Sequence, residues 1–296
     1  MPTIRVNGID IWYELSDGHG PALVLTHGFA GPTTNWRPII DDFRTRFRLL
    51  LYDVRGHGRT TVPDDPSAYS VPQFAADLAG LLDAVGIERL HVGGVSMGGM
   101  VSAQFACDFP DRLRSLVLCD TTAGNCVSGG AAGDAERQLA EVFERQEQIV
   151  QKQGLAELVK REDRYRHESD EHARRSTEPL DVQDERNALK VTTMTPRGYI
   201  LVSRAVRARP DLTWRTPSIR VPALVSCGEW DMFYPCAVRD HALIHGSRLA
   251  TVRGAAHDTT AYQPELFRQA VFDFIDAVEA HHDVAGEVEY APVGHP

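Results

Sequence analysis

The chain has 296 residues, enough for one large α/β domain or a core domain carrying an inserted lobe. Its 43% hydrophobic and 24% charged residues are those of a globular protein, and a net charge of −10 argues against nucleic acid or an anionic membrane surface as a partner. No apolar run approaches a membrane span, and Met1–Asp10 lacks the apolar core of a secretory signal. The five cysteines are irregularly spaced without a C-x-x-C pair, which fits a reducing, cytoplasmic location.

Thr3–Val6 and Asp10–Glu14 alternate around Asn7-Gly8, the pattern of a β-hairpin. Pro21–Thr26 and Phe47–Tyr52 are short continuous apolar runs, as strands buried on both faces require. Asn35–Phe43 between them reads as a short helix. Ser70–Val85 repeats apolar residues at helical spacing and stops at Gly86. Arg89–Val95 is a third buried strand, Met97–Phe109 a helix ended by Pro110, and Leu113–Cys119 a fourth strand. Strands alternating with helices imply a parallel sheet covered on both faces.

From Ala123 to Pro210 no buried-strand pattern occurs. Mixed charge with helical spacing predicts a helical insertion over the sheet, its charge run forming a solvated helix face. The alternation then resumes with strand Val221–Cys227, helix Ala237–His245, strand Arg248–Val252 and helix Pro264–His281. The expected fold class is therefore α/β, a mostly parallel eight-stranded sheet flanked by helices. Residues 1–122 and 211–282 would form the core, 123–210 a helical cap, and the acidic, unpatterned 283–296 a flexible tail.

The third buried strand ends in Gly94-Val95-Ser96-Met97-Gly98, a G-x-S-x-G pattern at a strand-to-helix turn. So tight a turn strains its central residue, and glycine on either side removes side chains that would collide. Ser96 would then project clear of the sheet, and the Met97 N–H would open a helix with no partner behind it. A serine hydroxyl needs a histidine base, and that histidine needs a carboxylate to hold its tautomer. In open α/β sheets such groups collect beyond the carboxyl ends of the strands. Asp231 follows one later strand within Gly228-Glu229-Trp230-Asp231, and His257 follows the last within Gly254-Ala255-Ala256-His257. Asp120, after the fourth strand, competes with Asp231 for the acidic position. Asp53 and Arg55 read as a loop-fixing ion pair, His27 and His57 as structural histidines, and Cys227 as a core thiol.

With His27-Gly28-Phe29 and Asp53-Val54-Arg55-Gly56-His57-Gly58 these landmarks stand in order, and the chain resembles the α/β-hydrolase superfamily over roughly residues 11–125 and 219–280. The resemblance implies Ser96 as nucleophile, His257 as general base, Asp231 as its acidic partner, and the N–H groups of Phe29 and Met97 as an oxyanion hole. Gly94–Met100, Arg112–Ala123 and Pro196-Arg197-Gly198-Tyr199 are similar to 3-oxoadipate enol-lactonases and related small esterases. A serine hydrolase cleaving a small carboxylic ester or lactone is implied. The same serine scaffold also serves carbon–carbon bond hydrolases and cofactor-free, haloperoxidase-like perhydrolases. A ligand sensor retaining the three residues is the alternative of another class. Phe29, Trp36, Met97, Trp230 and Phe233 are expected to line the substrate pocket. No metal or cofactor is implied. The expected partner is a small ester or lactone, with neither nucleic acid nor membrane, and a homodimer is admitted.

Overall fold

Nine strands make one sheet in the computed structural model, which describes residues 3–31, 33–37, 39–125, 129–169 and 180–292. They are β1 (Thr3–Val6), β2 (Ile9–Leu15), β3 (Ala22–Thr26), β4 (Arg48–Tyr52), β5 (Leu90–Val95), β6 (Leu113–Cys119), β7 (Ala223–Gly228), β8 (Arg248–Val252) and β9 (Gly286–Tyr290). Their spatial order is β1-β2-β4-β3-β5-β6-β7-β8-β9. β1 and β2 pair antiparallel, as does β2 with β4, and every other pair is parallel.

Alternate residues of the central strands point to opposite faces, and both faces are covered. Val24, Leu50, Val92, Leu116 and Leu118 pack on one side. Their cover includes Phe74 and Leu78 of α2 (Val71–Ala84) and Val101 and Phe105 of α3 (Met97–Asp108). Leu23, Leu25, Leu49 and Leu51 face the other way, against Phe43 of α1 (Ile40–Arg46) and aromatic residues further along the chain. Among the described residues between β6 and β7 lie four helices: α4 (Gly130–Gln153), α5 (Leu155–Glu168), α6 (Leu180–Thr193) and α7 (Pro196–Arg207). Leu139 and Phe143 of α4 and Val202 of α7 seat this segment on the first core. The chain closes with α8 (Tyr234–Leu243), α9 (Thr259–Tyr262) and α10 (Pro264–Glu279), whose Phe267 and Phe274 complete the second core. Among the described residues no helix is long and apolar enough to cross a membrane.

The eight-stranded sheet and the flexible tail both need correction. Gly286–Tyr290 pairs parallel with β8 over five positions and makes the ninth strand. The segment is charged and half exposed, with apolar side chains only at Val288 and Tyr290, so its own pattern is weak. The open edge of β8 supplies the pairing, and Val284 and Tyr290 are buried against the second core. Tyr290 also donates from its hydroxyl to Asp273 at 3.3 Å. Tyr290→Ala is expected to cost about 3 kcal/mol, the low end for truncating a buried ring, read as a fall in the chemical-denaturation midpoint. A loose tail would leave the midpoint unchanged.

Candidate functional site

The turn after β5 is built by close backbone approach. A Cβ on Gly94 would lie 2.3 Å from the Gly98 carbonyl carbon, and one on Gly98 would lie 2.0 Å from the Thr26 carbonyl oxygen. Only glycine lets α3 start this near β5 and β3. Ser96 is thereby held at φ 53°, in the left-handed region that non-glycine residues rarely adopt. Its N–H donates to the Cys119 carbonyl at 2.9 Å, and the Thr121 hydroxyl donates to its carbonyl at 2.6 Å. The side chain stands at the end of β5 with its hydroxyl free of those backbone bonds.

Asp231, three residues beyond β7, and His257, five beyond β8, converge on it. His257 Nε2 lies 3.1 Å from Ser96 Oγ, and Nδ1 lies 3.0 and 3.1 Å from the two Asp231 oxygens. The carboxylate fixes the tautomer of the neutral ring: Nδ1–H donates to Asp231, which leaves Nε2 to accept from the serine once its own proton is lost. Asp231 is buried and also accepts from the Phe233 N–H at 3.1 Å. Burial pulls the His257 pKa down, but the Asp231 charge and hydrogen bond outweigh it and raise it to about 9.

Asp120 is not the partner of this histidine. Its Oδ1 accepts from the Gly228 N–H at 3.0 Å and the Thr259 hydroxyl at 2.8 Å, and its Oδ2 from the Thr259 N–H at 2.6 Å. It therefore ties the turn carrying Asp231 to the turn carrying His257. Burial, and then the neighbouring Asp231 charge, push its carboxyl up to about 7. Asp120, Cys227 and Asp231 bring ligand-type atoms within 4.8 Å of one another. The trio is a poor metal centre, because both carboxylates are committed to N–H donors and the Cys227 thiol is driven well above its usual range by burial.

The loop after β3 carries Phe29. His27 donates from Nδ1 to the Gly28 carbonyl at 2.8 Å and accepts the Val54 N–H on Nε2 at 2.9 Å. His57 accepts the Ala30 N–H on Nε2 at 3.2 Å. Each ring accepts a backbone N–H on Nε2, as only the neutral form can, and burial lowers the pKa of both, so they act as uncharged clamps on either side of Phe29. No hydrogen bond from the Phe29 N–H occurs among the described residues, and Met97, as the first residue of α3, has no intrahelical partner for its own. The expected Asp53–Arg55 pair does not form. Arg55 instead makes a two-pronged pair with buried Asp77 of α2 at 2.7 and 2.8 Å, and Asp53 accepts the N–H groups of Thr33 and Arg59.

A cavity of about 220 Å³ opens above Ser96. Gly28–Gly31, Val95, Ser96, His257 and Asp258 form its floor; Arg166 of α5 and Gln183, Arg186, Asn187 and Lys190 of α6 form its roof. Of the expected lining residues only Phe29 is there. Trp36 is 1% exposed in the second core against Phe267, because its short turn, Thr33–Trp36, faces the sheet rather than the site. Phe233 is fully buried, its ring centre 5.6 Å from that of His257, where it supports the imidazole instead of touching a ligand. Met97 is likewise buried in the first core. Trp230 points outward at 37% exposed. The roof residues had a legible signal, polar side chains at helical spacing, but that pattern equally describes a solvated face, which is how the charge run reads in isolation.

A serine, a histidine and an aspartate at the ends of β5, β8 and β7 of a parallel sheet are the equipment of a hydrolytic enzyme. A family model described as alpha/beta hydrolase fold matches residues 21–238, and the chain belongs to that family. A Bacillus subtilis protein provisionally named 2-succinyl-6-hydroxy-2,4-cyclohexadiene-1-carboxylate synthase is 29% identical over 94% of this chain and all of its own length. A protein of Azorhizobium caulinodans provisionally named a carbamate hydrolase is 28% identical over 94% of this chain and all of its own. The crystal structure of the enol-lactonase from Burkholderia xenovorans LB400 superposes with a TM-score of 0.77 at 26% identity, covering 93% of this chain and all of that one.

The hydrogen bonds assign Asp231, not Asp120, as the group that sets the imidazole. Followed by NMR titration, His257 should titrate near 9 in the native protein and fall markedly in Asp231→Asn, where only the charges of Asp120 and Asp258 still oppose burial. Asp120→Asn should lower it less. The reverse ranking would make Asp120 the partner.

Proposed function

We propose that the chain is a serine hydrolase acting on a small carboxylic ester or lactone through an acyl-enzyme on Ser96. The observation that carries this reading is the unbroken hydrogen-bonded line Asp231–His257–Ser96. Ser96 Oγ attacks the carbonyl carbon as His257 Nε2 takes its proton. The carbonyl oxygen becomes an oxyanion facing the N–H groups of Phe29 and Met97, donors of a kind typically worth about 3 kcal/mol each. Collapse breaks the carbon–oxygen bond, and His257 returns the proton to the departing alkoxide. Water, deprotonated by the same Nε2, then attacks the acyl-enzyme. The carboxylic acid leaves and Ser96 recovers its proton.

The named relatives span a synthase, a carbamate hydrolase and an enol-lactonase, so likeness supports the machinery more than any one substrate. The ester reading rests on the machinery and on the enol-lactonase and esterase structures among its neighbours. Helices α4–α7 act in this reading as a cap that roofs the substrate. Free imidazole is the working form of a general base, and Asp231 holds His257 protonated until the pH approaches about 9. The kcat/KM of the native protein should therefore climb from neutral toward alkaline pH.

Hydrolysis of short-chain esters, followed in a pH-stat, tests both points. Ser96→Ala should lose at least roughly 10⁴-fold in kcat. Wild-type rates in that variant would remove Ser96 from the chemistry, and a kcat/KM falling from pH 7 to 9 would remove His257 as a base held protonated near neutrality.

A further inference from the structure

α6 is turned the wrong way round for an ordinary covering helix. Gln183, Arg186, Asn187 and Lys190 follow the spacing i, i+3, i+4, i+7, which places them on one face, and that face is the roof of the cavity over Ser96. Leu180 and Val191 of the same helix are exposed, at 38% and 42%. An amphipathic helix normally buries its apolar stripe. Here polar and cationic side chains turn inward, Gln183 and Asn187 being nearly fully buried. Desolvating such a face is unfavourable unless its polar groups are met, and all four of these residues do have polar partners.

The cations are held in place from outside the cavity. Arg166 bonds Asp163 and, at 3.1 Å, Asp184; Lys190 bonds Glu162 at 2.7 Å; Asn187 donates to Asp163 at 2.8 Å. None of these three acids lines the cavity. They pin Arg166, Asn187 and Lys190, and a guanidinium or ammonium bonded to one or two acids still has further donors. Arg166 Nε is buried and has no hydrogen-bond partner among the described residues. Asp258, 3.8 Å from Arg186, is the only carboxylate among the described lining residues. A guanidinium offers five donors in a planar fork suited to a carboxylate.

We propose that this roof is an anion subsite, and that the substrate is a small ester or lactone carrying a free carboxylate. Arg166, Arg186 and Lys190 receive that carboxylate while the ester carbonyl lies on Ser96. The subsite rests on the hydrolase reading for its place in turnover, but not for its ability to bind. The charged end is anchored by α5 and α6, so binding energy gained there orients the reacting carbonyl below. Neutral esters of the same length lack that anchor.

Two measurements separate the subsite from the chemistry. The first compares monomethyl glutarate with dimethyl glutarate in a pH-stat, two substrates that share the reacting ester and differ in one charge. The monoanion should have at least a tenfold higher kcat/KM. That preference should shrink at least fivefold in Arg186→Gln and in Lys190→Met, and should weaken as salt is raised. Equal rates, or a preference for the diester, would overturn the subsite. The second is calorimetric binding of glutarate to Ser96→Ala, which needs no turnover. Glutarate should bind at least tenfold more tightly than neutral glutaramide, and Lys190→Met in the same background should erase most of the difference. Equal binding would overturn the subsite even in an active enzyme. Tight glutarate binding with activity surviving in Ser96→Ala would instead overturn the serine mechanism and leave the subsite standing.

Discussion

The approach of α3 to the strands beside it governs the site. With carbonyl groups 2.0 to 2.3 Å from where a Cβ would stand, neither Gly94 nor Gly98 can carry a side chain without moving backbone. That contact goes with the left-handed backbone at Ser96 and starts α3 at Met97, whose N–H has no intrahelical partner. The energy of the strained residue is held by the surrounding bonds from Ser96 to Cys119 and from Thr121 to Ser96. The nucleophile and the oxyanion donor of the proposed mechanism would thus share one steric constraint.

The other two groups are positioned by charge rather than by sterics. Asp231 and His257 come from turns far apart in sequence, and Asp120 holds those turns together through bonds to Gly228 and Thr259. A buried carboxylate is thereby used as a tie while its neighbour is used to orient the imidazole. The cost is a buried acid set beside another, visible in the upward displacement of Asp120 by burial and then by the Asp231 charge. Neutral His27 and His57 perform the matching task on the Phe29 loop, fastening it with ring nitrogens instead of charges.

What was legible in the chain follows the range of the interactions involved. Central strands such as β3 and β6 declare themselves because burial on both faces demands an unbroken apolar run. Ser96, Asp231 and His257 could be singled out because each sits in a glycine-containing turn just past such a strand. β9 could not, since Gly286–Tyr290 acquires strand geometry only from the open edge of β8. Trp36 and Phe233 are buried in the core and not in the pocket, a distinction no sequence pattern carries, because an aromatic near a site reads the same whether it faces ligand or core. The inward face of α6 was hidden for a related reason: Gln183, Arg186, Asn187 and Lys190 have the spacing of a solvated stripe, and only the fold shows which way the helix is rolled. Arg55 likewise has two acids within sequence reach, and only the placement of α2 selects Asp77.

The central claim is that Asp231, His257 and the strained turn together make Ser96 an activated nucleophile. Covalent labelling with a fluorophosphonate, located by peptide mass spectrometry, reads this most directly. One label per chain on the peptide containing Ser96, lost in His257→Ala, is the predicted result. Labelling at another residue, or undiminished labelling of Ser96 in His257→Ala, would contradict it.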